Sequence, residues 1–238
     1  PNLTARLLKI ANSSYYSRSG NIDTIARAVT VIGTRQVRDL TLGLSAIRTF
    51  SGIPIGVVSM EDFWVHSLYC AMLSRRLATD VDRKLEDTVF VAGLLHDVGR
   101  LLHLISLPEE SRQALWMATE GPDDVSQEVA ERAVLGFDHA DVGSELARQW
   151  QLPEVLRECI AHHHAPERAS PAHATAVAIV HVANSLAFLA ETDCTDLEAA
   201  PAIAPRAARL AHFDDRHLAD FVEQCRAEIA EQRSLFGL

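Results

Sequence analysis

The chain predicts an all-α fold. Apolar residues recur at three- and four-residue spacing through most of its 238 residues, and no segment alternates convincingly at a period of two. Turn-forming clusters separate the periodic stretches. This length suits one large or two small domains and is enough for a substantial core.

In chain order, Leu3 to Ala11 has helical spacing, and Asn12-Ser13-Ser14 with Ser19-Gly20-Asn21 makes a turn-rich break. Val37, Leu40, Leu44 and Ile47 then mark a second helical stripe. Ser51-Gly52-Ile53-Pro54-Ile55-Gly56 is the clearest internal boundary, because glycine and proline continue a helix poorly. Helices are predicted near 60–79, 84–105, 109–119, 124–135, 138–150, 153–164, 172–190 and 214–233. The 172–190 segment is apolar nearly all round, which predicts a central helix. Pro201 to Pro205 and its acidic approach read as a surface loop before the last helix. The expected organisation is an N-terminal helical lobe over 1–51, a bundle over 59–191, and a C-terminal loop and helix over 192–238. Pro1 falls in mid-element, so an upstream segment is expected.

Composition narrows the functional classes. A net charge of -10 argues against a broad phosphate-backbone surface. Thr34-Arg35-Gln36-Val37-Arg38-Asp39-Leu40 reads as a capped helix with two exposed arginines rather than a DNA-reading helix-turn-helix. No unbroken apolar run reaches the roughly 18 residues of a membrane helix, and no secretory leader is visible. Cys70, Cys159, Cys194 and Cys225 are scattered without a CxxC pair, as expected of thiols in a reducing cytoplasm.

His96-Asp97 is the chemically informative pair. It is expected inside an otherwise apolar helix, where a buried imidazole and carboxylate need partners. A divalent zinc, iron or manganese ion is one such partner, and its remaining ligands would come from other helices. His66 shares a stripe with Phe63, Cys70, Leu73 and Leu77; His139 with Val142, Leu146 and Trp150; His163 with Leu156, Cys159 and Ile160. Asn184 lies with Val177, Val180 and Phe188 on the central helix. Gly93 and Gly99 flank the pair and permit close approach of a neighbouring helix or a ligand. Any one inward histidine is more often a hydrogen-bonded core residue than a ligand. His162-His163-His164 taken alone also reads as a solvated helix end. His173, His181, His212 and His217 read as structural or surface residues.

Ala92-Gly93-Leu94-Leu95-His96-Asp97-Val98-Gly99-Arg100 resembles the signature of the HD superfamily of metal-dependent phosphohydrolases. More narrowly, the chain resembles the HDOD domain, a bacterial signalling branch. The likeness also rests on Pro1 to Leu8, Ala11-Asn12-Ser13 and Phe63-Trp64-Val65-His66-Ser67. Gly136 to Gly143, Trp150-Gln151-Leu152-Pro153, His163-His164 and Val180-His181-Val182-Ala183-Asn184 extend it, in the expected order, to about Leu189. The resemblance implies an HD-like helical bundle with a metal pocket. Positions matching His66, His96, Asp97 and Asn184 form the core ligand set of catalytic HD enzymes, the last being aspartate there. Positions matching His139, His163 and His164 add ligands in the dinuclear HD-GYP phosphodiesterases. Arg100 stands where those enzymes carry a phosphate-side lysine, and His164 is followed by Ala165-Pro166-Glu167-Arg168 rather than Gly-Tyr-Pro.

The resemblance therefore implies a regulatory signalling module with a retained metal pocket, working through kinase, receiver or other signalling proteins, rather than an enzyme. The alternative is a metal-dependent phosphohydrolase or phosphodiesterase acting on a nucleotide or phosphoester, with Arg100 steadying phosphate charge. A third reading is a pocket that senses a metal, a redox state or a nucleotide without turnover. A homodimer is compatible with the chain, but no coiled-coil heptad predicts one.

Overall fold

Helix starts follow the caps that the sequence supplies. In the computed structural model, which describes residues 4, 7–8, 11–12, 22–50, 59–121, 125–192, 194, 196–214 and 218–236, Thr24 opens α1 (Ile25–Ile32). Its hydroxyl accepts the Arg27 N–H at 3.2 Å. Helix α2 (Thr34–Phe50) follows Gly33. Helix α3 (Met60–Val81) is capped by Ser59, and Glu61 and Asp62 complement the dipole in its first turn. Then come α4 (Glu86–Leu95), α5 (Val98–Ser106), α6 (Pro108–Thr119), α7 (Gln127–Leu135), α8 (His139–Gln149) and α9 (Glu154–His162). Helices α10 (Ala174–Thr192), α11 (Pro205–Leu210) and α12 (Leu218–Phe236) complete the chain. No strand occurs among the described residues, and the all-α expectation is met.

Three local expectations need correction. The helix expected over 84–105 is a short 3-10 turn followed by α4 and α5, interrupted at His96 and Asp97. The 201–205 loop leads into an unanticipated short helix, α11, because Pro205 at the first helical position gives up an N–H that would have no partner anyway. Helix α1 was also not anticipated, its eight residues being too short for a clear stripe. The break at 13–21 and the boundary at 51–58 lie outside the described residues. Asn12, at the edge of that break, donates to the Leu8 and Ile22 carbonyls at 2.8 and 2.6 Å and accepts the Ile22 N–H at 2.7 Å.

The core forms where α3, α4 and α10 meet. Helix α10 buries Val177, Ile179, Val180, Val182, Leu186 and Leu189 on several sides, as its all-round apolarity predicted. Gly93 lets α4 lie on α3: a Cβ there would stand 2.8 Å from the Ala71 Cα. Helix α2 packs on α4 through buried Leu40 and Leu44. Arg83–Ser106 and Ala174–Thr192 reach the mean hydropathy of a membrane span, at 1.4 and 1.5, despite their interrupting polar residues. In their most apolar 18-residue windows 72% and 78% of the residues are buried within the bundle, so their apolarity is used in the core. Cys70, Cys159 and Cys225 are buried free thiols, and Cys194 is partly exposed and also free.

Candidate metal centre

The interruption between α4 and α5 positions the His-Asp pair. Asp97, at φ -98° and ψ 8°, leaves the helical path, and Val98 restarts it. The His96 Nδ1–H donates to the Gly93 carbonyl at 2.7 Å, which turns Nε2 into the core. Arg100, one turn on, donates from its guanidinium to Asp97 Oδ2 at 3.0 Å and leaves Oδ1 facing inward.

Two other helix ends bring imidazoles to Oδ1. His139 is the first residue of α8, set by a capping box between Asp138 and Asp141. Gly99 allows α8 to come this close to α5, since a Cβ there would stand 2.6 Å from the Gly143 N and overlap the His139 carbonyl. His163 ends α9, and its Nδ1–H donates to the Ile160 carbonyl at 2.8 Å. His164 follows directly. Asp97 Oδ1 lies 3.2 Å from His139 Nε2 and 3.4 Å from both His96 Nε2 and His163 Nε2. His139 Nε2 is 3.3 Å from His163 Nε2 and 2.9 Å from His164 Nε2.

These side chains form two groups that share Asp97. One contains Asp97, His139, His163 and His164; the other contains His66, His96 and Asp97. Within each group the ligand atoms lie within 4.8 Å of one another. Asn184, on α10, joins through His66, whose Nε2 is 3.0 Å from the amide oxygen. The predicted residues thus converge on one place from α3, α8, α10, the end of α9 and the α4–α5 break.

The residues fit a divalent cation. His96 Nε2 and Asp97 Oδ1 are buried and make no geometrically sound hydrogen bond, an arrangement that costs about 1–3 kcal/mol per group without a partner. The Nδ1 atoms of His96, His139 and His163 are held by oxygen acceptors, which fixes the rings and directs each Nε2 inward. The cluster could therefore bind a metal ion.

The electrostatics are those of a buried cluster of closely coupled charges. Burial, only partly offset by Asp97, takes the His96 imidazole down to about 3. Burial would raise Asp97, but His96, His139 and Arg100 hold it well below the usual carboxylate range. Burial opposes charge on His139 too, yet Asp97 and Glu131 raise it to about 10. His164 is driven down by burial and by His163 and His139.

Two carboxylates escaped sequence reasoning. Glu131 Oε2 accepts from His139 Nδ1, and Glu191 Oε1 lies 2.6 Å from His66 Nδ1. Glu191 does carry a sequence signal, since it stands two turns beyond Asn184 on the same stripe. Glu131 precedes His139 by eight residues and has no comparable local pattern. His103, also missed, is buried 3.8 Å from Glu131 Oε2. The solvated-end reading of the histidine triplet fails at His163, which is fully buried. His181 is structural as expected: it bonds the His163 carbonyl at 2.7 Å and accepts the Ala204 N–H at 3.0 Å. His217 lies outside the described residues.

Residues 1–166 match the HDOD domain. The fold superposes on the crystal structure of an HDOD-domain protein of unknown function from Geobacter sulfurreducens with a TM-score of 0.75 and 26% identity, covering 99% of this chain and 83% of that one. A candidate phosphohydrolase from Shewanella amazonensis SB2B also gives 0.75, at 23% identity over 99% and 82% of the two chains. A candidate signal-transduction protein from Marinobacter aquaeolei VT8 gives 0.72 at 21% identity, covering 99% of this chain and 52% of that one. Among curated proteins, an uncharacterized protein of Treponema pallidum is 25% identical over 174 residues. The matched region takes up 71% of this chain but only 33% of that relative's length.

Proposed function

The chain belongs to the HDOD-domain family, and from that premise we propose that it is a cytoplasmic bacterial signalling module that keeps an HD-type metal pocket and acts through protein contacts rather than by turnover. His66, His96, Asp97, His139, His163, His164 and Asn184 line the proposed metal pocket, with iron, manganese or zinc as the ion. The observation that carries this reading is the Asn184–His66 contact: an amide, not a carboxylate, closes that side of the pocket, so Asp97 is the one acidic ligand in either group. Phosphoester hydrolysis by metal-bound hydroxide favours ligands that neutralise the ions and leave open positions for water and phosphate. Here the ligand atoms face one another in a buried cluster. The name of the Marinobacter structure supports the signalling assignment. The partners proposed are kinase or receiver domains; a second copy is a further candidate.

A hydrolase is the second reading. It is favoured by Arg100, which is 26% exposed while its guanidinium touches Asp97 and so offers an open face to a phosphate, and by the name of the Shewanella structure. The deciding experiment is elemental mass spectrometry on tag-free protein purified without chelators, beside a variant of the shared ligand, Asp97→Ala, followed by phosphoester assays with the metal found. Bound metal lost in the variant, with no turnover, supports the signalling module. Turnover abolished by Asp97→Ala supports the hydrolase. A folded, metal-free protein indifferent to added metal overturns both.

A further inference from the structure

The two groups around Asp97 are not equivalent. We infer that this pocket holds a single divalent ion, seated between Asp97, His139, His163 and His164, and that Glu191 and Asn184 close the other half by taking up both ring nitrogens of His66. The inference rests on the metal-pocket reading and specifies its occupancy.

Geometry favours the first half. Four ligand atoms placed about 2.0–2.1 Å from a tetrahedral ion lie about 3.3 Å apart. Four of the six separations in this group are 3.2 Å for Asp97 to His139, 3.4 Å for Asp97 to His163, 3.3 Å for His139 to His163 and 2.9 Å for His139 to His164, and all six are within 4.8 Å. Three imidazoles and one carboxylate are also a donor set that suits zinc, iron or manganese. The other half has His66 bound at Nδ1 by Glu191, 2.6 Å away, and at Nε2 by the Asn184 oxygen at 3.0 Å. An amide oxygen accepting from Nε2 leaves His66 no lone pair for a metal. His96 and an already shared Asp97 then remain, too few to hold a second ion.

Charge points the same way. Asp97, Glu131 and Glu191 bring three negative charges to the cluster; Arg100 brings one positive charge to Asp97, and His66, with both ring nitrogens donating, is an imidazolium that brings another. One dication then leaves a single positive charge. A second would leave a surplus of three among buried imidazoles, with the rim carboxylate Glu128, 3.9 Å from His164 Nδ1, to offset one of them.

The test is zinc stoichiometry on metal-stripped, reloaded protein, by calorimetry and elemental analysis, for wild type, His139→Ala and Asn184→Asp. The expected values are one equivalent for wild type, none bound tightly for His139→Ala, and two for Asn184→Asp. Two equivalents in wild type, or an ion held tightly by His139→Ala, overturns the one-ion assignment and leaves the metal pocket standing. No zinc, manganese or iron in wild type overturns the pocket itself. Should a variant fail to fold, the visible spectrum of cobalt-loaded wild type decides: tetrahedral bands saturating at one equivalent agree, whereas a second, distinct set at two equivalents does not.

Discussion

Glu131 Oε2 accepts both the ring Nδ1–H and the backbone N–H of His139, at 2.6 and 2.8 Å. One buried carboxylate thereby fixes the position of the first residue of α8 and the direction of its imidazole. Gln127 in turn donates to Glu131 Oε1 at 3.1 Å, one turn back along α7. The carboxylate is held from behind and presents His139 Nε2 to Asp97.

Glu131→Gln is expected to weaken metal binding about 10–100-fold, the usual cost of removing an outer carboxylate from a ligating histidine. Gln127→Ala, which leaves the carboxylate in place, should cost far less. Competition with a chelating dye measures both. Equal affinity in wild type and Glu131→Gln would sink the orienting role.

Proton competition follows from the raised His139 value. In metal-free protein, His139 is lifted from 6.5 to about 10, so its stabilising contribution is complete below pH 6.5 and disappears as pH rises through about 10. For Glu131, burial acts upward, but nearby His103, 3.8 Å away, and the hydrogen bonds from His139 lower it below 4.5. Its contribution is present above pH 4.5 and is lost as pH falls through the lower folded value. The metal-free protein should therefore be most stable between pH 4.5 and 6.5 with respect to this pair, as urea melts would report. A metal must displace the His139 proton, so its affinity should rise about tenfold per pH unit between pH 6 and 8. A flat profile would show that His139 does not ligate.

Gly99→Ala tests the approach of α8 to α5. Its methyl would meet the Gly143 N and the His139 carbonyl, both backbone, so a helix rather than a side chain must move. A loss of about 1–3 kcal/mol in denaturant unfolding is expected, together with weakened metal binding. Gly136→Ala is a useful contrast: nothing lies within contact of its Cβ, so its cost comes only from a φ of 84° and should leave the metal site intact.

His181→Phe removes a link between the metal-side backbone and the segment before α11. It strands the Ala204 N–H and one lone pair of the His163 carbonyl, at about 1–3 kcal/mol for the buried donor. Thermal melts should fall by several degrees, and amide exchange should rise at Ala204 before it rises in α10. Unchanged exchange at Ala204 would show that the segment is held by other contacts.

By itself, the sequence determined the all-α class and the inward faces that carry His66, His139, His163 and Asn184. A helix's period is local, so a stripe of Phe63, His66, Cys70 and Leu73 reveals which side is buried without any knowledge of what buries it. It also marked Gly93 and Gly99 as points of close approach, and helices do meet at both. The break at His96 and Asp97 was hidden, because apolar periodicity runs on through Val98 and Leu101 and the turn is held by hydrogen bonds rather than by glycine or proline. Only the tertiary structure decided that Asp97 is common to both histidine groups, that Glu131 stands behind His139, and that Glu191 and Asn184 occupy the two sides of His66. The reason is the range of each force: helical pattern is set by neighbours three and four residues apart, whereas Glu191 meets His66 across 125 residues, where only the packing of α10 on α3 brings a charge to its partner.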